Sequence, residues 1–410
     1  MFFKKLYLFV FAVSLLGCVK KNVSPTISLG HWSGYMMLTE TDPLHIDFNL
    51  EKENDSLFVK IKLDNDDITV HEIKLTDDSL CFKLPLYDSE FKLKILSSKS
   101  IEGFWFNYNK GSDYKIPFFA VLDTINFQET DEKKDQIYKR YKIIFNENSI
   151  DAYDALGLFK QAGSEISGTF ATETGDYRYL TGSVINNEMM LNGFDGAHAY
   201  LFKATVKNDS LIGGIFLSGI HSKEVYKGNI NTTFELKNAD SITTSLNSDE
   251  FVDFKLPNAK GDSMTWSTLN LNNKVVIIQI MGSWCPNCYD ETILLTDYYK
   301  KYKSKGLVIL PIAFEATTDF KTAVRRLDKM YANTGIKLNY LIGGINDKKV
   351  ASVLFPTLSD LKSFPTTIFI DKHRKTRRIH SGFYGPETEK YYSTYKVDTD
   401  NYILSLLNEP

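Results

Sequence analysis

Cysteine is scarce in this sequence, with four residues in a chain of 410: Cys18, Cys81, Cys285 and Cys288. Small domains built on several disulfides carry far more cysteine, so a disulfide scaffold is excluded. An excess of positive charge is also missing, because 51 aspartates and glutamates outweigh 48 lysines and arginines. Nucleic-acid binding is therefore disfavoured. The one basic cluster, KHRKTRR at 372–378, lies between two apolar strand-like runs and is interpreted as a solvated hairpin turn.

The amino-terminal apolar run is short. It extends from Leu6 to Leu16, directly after a charged region that contains two lysines. A run of this length does not span a bilayer comfortably. A charged segment followed by a short apolar run is typical of an export signal, and such a segment is not part of the folded domain.

The end of this run, LLGC at 15–18, resembles the lipobox of bacterial lipoproteins. The resemblance implies cleavage before Cys18, with diacylglycerol on its sulfur and an acyl chain on its new amino group. Several acyl chains on one residue anchor a protein stably to a membrane. We expect residues 1–17 to be a lipoprotein signal peptide and residues 18–25 to be a tether. The alternative is an ordinary signal peptide.

Residues from about 26 to 245 have the pattern of an all-β domain. Short alternating runs recur at spacings of roughly ten residues between polar turns, which predicts an antiparallel sandwich or barrel. Repeated Asp-Ser-Leu triplets suggest two related β units. Residues 129–163 lack a strong strand pattern, and we predict a linker or short helical connection there. The role expected for this half is positioning or partner recognition.

This half of the sequence contains no convergent set of catalytic residues. Cys81 lies in a strand-like run, where a free cysteine is usually a small buried hydrophobic residue. His198 stands alone near a turn, and we interpret it as structural.

From about residue 250 to 410 the pattern changes to alternating strands and helices. KVVIIQIMG at 274–282 is a continuous apolar run, as expected of a strand covered on both faces. Apolar residues at helical spacing follow this strand, and further predicted strands and helices alternate to the carboxyl terminus. The predicted fold is a mixed α/β sheet with helices on both faces.

The motif Cys285-Pro286-Asn287-Cys288 falls between the buried strand and the first helix. Unpaired N–H groups and the helix dipole stabilise a thiolate at a helix amino terminus, which lowers the pKa of Cys285. Pro286 suits the first turn, since it has no N–H to leave unsatisfied. Cys288, one turn later, is placed to resolve a mixed disulfide. No second ligand pair for zinc is present nearby, so no metal is expected.

The segments Trp284–Cys288 and Phe364-Pro365-Thr366-Thr367 together resemble the thioredoxin fold. The lipobox, the β-rich half and the carboxyl-terminal sequence resemble, more narrowly, the envelope thiol–disulfide oxidoreductases of the TlpA/ResA type. The resemblance implies a redox disulfide between Cys285 and Cys288 and a cis Pro365 that faces it. It also implies that Phe364 offers backbone groups to substrate, with Trp284 and Pro286 in the substrate-binding surface.

Two positions bear on proton transfer. Thioredoxin has a buried aspartate where this chain has Gln279, which cannot titrate. Glu291 matches the acidic residue that TlpA/ResA-type proteins carry after the motif. A buried Glu291 would have a raised pKa and exchange a proton with Cys288. The alternative is a surface glutamate.

The leading hypothesis is a lipid-anchored, periplasm-facing thiol–disulfide oxidoreductase of the bacterial envelope that needs no cofactor. Its expected partners are disulfide-bearing envelope proteins and a membrane thiol-reducing electron donor. Val19 instead of aspartate after Cys18 is compatible with sorting to an outer membrane. One alternative is a peroxiredoxin-like peroxide reductase. The other is a surface binding module with a vestigial redox domain.

Overall fold

A computed structural model describes residues 27–63, 67–123, 137–245, 251 and 254–410. Cys18 and the predicted signal peptide and tether lie outside these residues. Within the described part of the chain, no helix is long and apolar enough to cross a membrane.

The first sheet is antiparallel and has nine strands in the order β4-β3-β2-β1-β9-β8-β7-β6-β5. Alternating side chains fill one face, so that Trp32, Phe48, Phe91 and Phe118 are buried in a single core. The strands are β1 Gly30–Met37, β2 Pro43–Glu53, β3 Ser56–Ile61, β4 Ile68–Val70, β5 Ile73–Leu75, β6 Ser79–Lys83, β7 Ser89–Ser97, β8 Ser100–Asn107 and β9 Lys115–Leu122.

The second sheet also has nine antiparallel strands, in the order β11-β10-β18-β17-β16-β15-β14-β12-β13, and an additional β11–β12 pairing closes it into a barrel. Aromatic rings fill its interior, including Phe170 stacked on Phe202 at 4.4 Å. The strands are β10 Ile137–Phe145, β11 Tyr153–Ala162, β12 Glu165–Thr172, β13 Gly175–Asp176, β14 Leu180–Ile185, β15 Glu188–Phe194, β16 Ala199–Lys207, β17 Ser210–Ser218 and β18 Ser222–Ile230. The β-rich prediction for this half of the chain is confirmed.

The prediction of a linker or short helix at 129–163 is wrong for the described residues. They form β10 and β11, which pair with each other over their whole length. Tyr141, Ile143 and Phe145 point into the barrel and are at most 2% exposed. Lys139, Arg140 and Lys142 interrupt the apolar pattern of β10, so this alternation was not apparent from the sequence.

Cys81 differs from its prediction too. It lies in β6 with its neighbours Leu80 and Phe82 buried, and it is itself only half-buried on the opposite face. The alternation of a strand places consecutive side chains on opposite faces, and the larger hydrophobic residues occupy the core. His198 Nδ1 lies 3.1 Å from Asp195 Oδ2, which agrees with the structural interpretation of this histidine.

The carboxyl-terminal sheet has five strands in the order β23-β22-β21-β24-β25, with β21 parallel to β22 and antiparallel to β24. Every residue of β21 is buried, as the continuous apolar run predicts. A small hairpin, β19 Leu256–Pro257 and β20 Ser263–Met264, precedes β21 Val275–Met281, α1 Pro286–Tyr302, β22 Leu307–Glu315, α2 Phe320–Ala332, β23 Leu341–Ile345, α3 Lys348–Leu354, β24 Thr366–Ile370, β25 Thr376–Ser381 and α4 Lys390–Asn408. The first part of the basic cluster forms the turn between β24 and β25, as predicted, whereas residues 376–378 begin β25. Arg378 is largely buried and pairs with Asp240, so it is not part of a solvated turn.

Candidate active site

The Cys-x-x-Cys motif lies where β21 ends and α1 begins. Cys285 is the N-cap of α1 in an extended conformation, and Pro286 occupies the first helical turn. The backbone N–H of Cys288 donates to Cys285 Sγ over 3.2 Å, so one orphan donor of the helix is directed at this sulfur. The two cysteines form a disulfide, with their Cα atoms 5.2 Å apart.

The two sulfurs differ in access. Cys288 is fully buried and Cys285 is 6% exposed. Cys285 Sγ also lies 3.6 Å from the carbonyl oxygen of Phe364. The Phe364–Pro365 peptide bond is cis, and Pro365 is buried. Cys285 is therefore the sulfur that an incoming group meets first, beside the backbone of Phe364.

An aromatic cluster borders Cys285 on one side. The Trp284 indole N–H donates to the carbonyl oxygen of Phe314 over 2.8 Å, which fixes the ring. The Phe364 ring packs 5.6 Å from Trp284 and 5.9 Å from Phe314, measured between centroids. Trp284 and Phe364 are only partly buried, so this cluster forms an apolar surface next to the disulfide.

Glu291 is fully buried, and the alternative of a surface glutamate is wrong. One carboxylate oxygen, Oε1, accepts a hydrogen bond from Thr367 Oγ1 over 2.7 Å. The other, Oε2, accepts from Gln279 Nε2 over 2.9 Å. Burial raises the pKa of Glu291 to about 7, and the hydrogen bonds that it accepts oppose this rise.

Gln279 connects this carboxyl group to the motif. Besides its bond to Glu291, Gln279 Nε2 donates to the carbonyl oxygen of Cys288 over 3.1 Å. Its Oε1 accepts from Thr292 Oγ1 over 3.0 Å. Gln279, which cannot titrate, therefore serves as a hydrogen-bonding bridge, and the titratable group of this site is Glu291 on α1.

Sequence reasoning missed a second buried carboxyl group, Glu315, at the end of β22. Its two oxygens accept from the backbone N–H of Ser283 over 2.8 Å and from Ser283 Oγ over 2.6 Å. Burial raises the pKa of Glu315. Because Ser283 precedes Trp284, Glu315 positions the loop that carries the motif. An acidic residue closing the apolar run LPIAFE was the available signal.

Sequence reasoning also missed a contact between the second sheet and α1. Arg178 donates from Nε and Nη2 to the two carboxylate oxygens of Asp290, each over 2.9 Å. Both side chains are largely buried, at 16% and 13% exposure. A bidentate pair of this kind is among the strongest and most directional polar contacts in proteins.

The described residues contain no cluster of three or more histidine, cysteine or acidic side chains able to hold a metal ion. The arrangement that they do contain is a dithiol–disulfide pair at a helix amino terminus. It has one accessible sulfur, a buried second sulfur and a buried carboxyl group with a pKa near neutrality. An accessible sulfur and a second sulfur close to it are the groups that take part in thiol–disulfide exchange.

Comparison with known proteins locates the similarity in this part of the chain. Residues 248–379 match the AhpC/TSA family. The thiol-disulfide oxidoreductase ResA of Halalkalibacterium halodurans is 25% identical over 134 residues, which cover 33% of this chain and 68% of that protein.

Solved structures of similar proteins include the following three. A thioredoxin family thiol:disulfide interchange protein from Chlorobium tepidum is 16% identical (40% of this chain, 100% of that chain, TM-score 0.31). A secreted thiol-disulfide isomerase from Corynebacterium glutamicum is 17% identical (43% and 99%, TM-score 0.32). The peroxidoxin BcpB from Mycobacterium tuberculosis is 20% identical (39% and 99%, TM-score 0.29). The carboxyl-terminal part of this chain is a thioredoxin-like domain, similar over residues 248–379 to the AhpC/TSA family.

Proposed function

We propose that this protein is a lipid-anchored thiol–disulfide oxidoreductase of the bacterial envelope that reduces disulfides in exported proteins. The observation that supports this most directly is the Cys285–Cys288 disulfide at the amino terminus of α1. We place the redox domain at about 250–410 and the β-rich part at 26–245.

The reaction begins with the reduced protein. The Cys285 thiolate attacks one sulfur of a substrate disulfide, which forms a mixed disulfide and releases the other substrate sulfur as a thiolate. Cys288 then loses its proton and attacks Cys285 Sγ, which releases the second substrate thiolate. Two electrons pass to the substrate, and the Cys285–Cys288 disulfide remains. A membrane thiol-reducing donor restores the dithiol.

Glu291 is the group that we assign to proton transfer with Cys288. It is buried, its pKa is raised to about 7, and it is bridged to the Cys288 backbone by Gln279. A group with a pKa near the working pH exchanges protons most effectively in either direction.

Substrate binding is assigned to the surface around Cys285. Phe364 offers its carbonyl oxygen beside Cys285 Sγ, and Trp284 supplies an apolar ring. Pro286 and Pro365 shape the backbone on either side of the sulfur. The reducing direction and the envelope location rest on the resemblance to TlpA/ResA-type proteins. The lipid anchor rests on the lipobox at Cys18.

The test is reduction of insulin by the soluble fragment with dithiothreitol as electron source. We expect Cys285→Ser to abolish the activity and Cys81→Ser, the matched control, to leave it unchanged. Full activity of Cys285→Ser would leave the vestigial-domain alternative in place, with binding by the β-rich part as the function.

A second candidate, peroxide reduction, is favoured by the match to the AhpC/TSA family. Against it, the sequence MGSWCPNC lacks a threonine three residues before Cys285, which we expect at a peroxidatic site. Hydrogen peroxide consumption measured in the same preparation separates the two activities. Peroxide turnover that exceeds insulin reduction would favour the second candidate.

A further inference from the structure

The second sheet reaches the active-site motif through its 172–176 hairpin, which joins β12 to β13. Asn287, which lies between the two cysteines, donates from Nδ2 to the carbonyl oxygen of Asp176 over 3.1 Å. The same Nδ2 lies 3.3 Å from the carbonyl oxygen of Phe383. The side chain inside the Cys-x-x-Cys motif is therefore fixed between the hairpin and the loop that follows β25.

The hairpin also contacts the loop that follows β25, residues 382–385. Tyr384 OH donates to the carbonyl oxygen of Thr172 over 2.8 Å. The backbone N–H of Gly385 donates to Asp176 Oδ2 over 2.5 Å. Both ends of the hairpin thus bind the redox domain directly.

Two glycines allow the backbones to approach this closely. A Cβ atom on Gly175 would lie 2.6 Å from Asn287 Nδ2, and one on Gly382 would lie 2.6 Å from the carbonyl carbon of Thr174. Both glycines also have positive φ, +137° and +82°, which side chains disfavour. The two surfaces therefore fit without space for a substrate segment between them.

An ion pair fixes the hairpin against α1. Arg178, two residues after it, makes the bidentate pair with Asp290 on α1. Its Nη1 lies 3.6 Å from Asp195 Oδ2 as well. A partly desolvated pair between the second sheet and α1 fixes the hairpin at a constant distance from the cysteines.

These contacts leave the active site open to substrate from one side only. The hairpin packs on Asn287 between the two cysteines, and Pro286 and Phe383 are buried, so the side of the motif that faces the hairpin is closed. The remaining apolar approach is the side of Trp284 and Phe364, which are only partly buried. An extended segment can lie along this open side, whereas the convex surface of a folded protein meets the hairpin.

We propose that the 172–176 hairpin is a fixed wall beside the substrate-binding surface that makes the enzyme selective for disulfides in extended or unfolded polypeptide segments over those on folded surfaces. This inference rests on the proposed function and names its substrate class. Arg178 and Asn287 act as positioning residues, because they hold the wall and need not touch the reacting sulfurs.

The test compares two substrates with the same leaving group. One is a short peptide and the other a small folded protein, and each carries a single cysteine as its mixed disulfide with thionitrobenzoate. The reduced enzyme releases thionitrobenzoate and a substrate thiol and becomes the disulfide, so electrons balance. We expect kcat/KM to be at least about 20-fold higher for the peptide with the wild-type protein.

Arg178→Ala removes the ion pair that holds the hairpin. We expect it to raise kcat/KM for the folded substrate at least about fivefold while changing that for the peptide less than about twofold. Tyr384→Phe removes only the hydrogen bond to Thr172, and it should lower the peptide-to-folded ratio of kcat/KM by a smaller factor than Arg178→Ala does. If Arg178→Ala does not fold, Tyr384→Phe tests the proposal in its place. Arg325→Ala, which removes a different ion pair, that with Asp88 of the first sheet, is the control and should leave the peptide-to-folded ratio of kcat/KM unchanged.

Three results would overturn the proposal. The first is equal rates for the two substrates with the wild-type protein. The second is a hairpin variant that accelerates both substrates equally, which would make the hairpin a general gate. The third is no reaction with either substrate, and it alone would also overturn the proposed function.

Discussion

Gln279 donates a hydrogen bond to Glu291 over 2.9 Å, and both side chains are completely buried between β21 and α1. An amide on the central strand and a carboxyl group on the helix thus share one site beneath the disulfide. Because the amide stays neutral, the proton balance of this site depends on Glu291.

Stability should fall as the pH rises from about 4.5 to about 7. The pKa of Glu291 is raised to about 7 in the folded protein from an ordinary 4.5, so in this window the folded state keeps a proton that the unfolded state has lost. The loss amounts to about 3 kcal/mol and is complete above pH 7. Glu291→Gln should remove this component of the pH dependence, as measured by urea unfolding across the window. An unchanged slope would show that Glu291 is not the titrating group.

Activity should rise as the pH passes through about 7, because ionised Glu291 accepts the proton of Cys288. In Glu291→Gln we expect this inflection to disappear and the rate of the resolving step to fall by about 100-fold. Stopped-flow measurement of mixed-disulfide decay isolates that step from the attack by Cys285. A variant that keeps the inflection would assign it to another group.

Cys288→Ser should trap the mixed disulfide between Cys285 and substrate, because the group that displaces the substrate is missing. Intact mass spectrometry after incubation with an oxidised peptide should show one peptide added per protein. Cys285→Ser should show none, since Cys288 is fully buried. Trapping by Cys285→Ser instead would reverse the assigned roles of the two cysteines.

Cys18→Ser should abolish lipidation. We expect the wild-type chain, expressed in a bacterial host, to incorporate labelled palmitate and to fractionate with membranes, because several acyl chains on one residue give stable anchoring. The variant should incorporate none and leave the membrane fraction. Labelling that persists in the variant would place the acyl group elsewhere.

Local sequence was sufficient to predict the central strand and the first helix of the carboxyl-terminal domain. The continuous apolar run at 274–282 predicted a fully buried strand, and β21 is buried along its whole length. Pro286 and the helical spacing after it predicted α1, with Cys285 at its start. These features depend on neighbours within a few residues, through backbone hydrogen bonds, proline geometry and hydrophobic periodicity.

Tertiary structure decided the environment of those same residues. The burial of Glu291 depends on Thr367, 76 residues away, and the contact of Cys285 with the Phe364 carbonyl spans 79 residues. The strands β10 and β11 were not predicted, because charged and polar residues interrupt their apolar pattern. The Arg178–Asp290 pair joins positions 112 residues apart. Burial, pKa and access are set by whichever groups the fold brings together, and a linear pattern carries only the hydrophobicity and conformational preference of each segment.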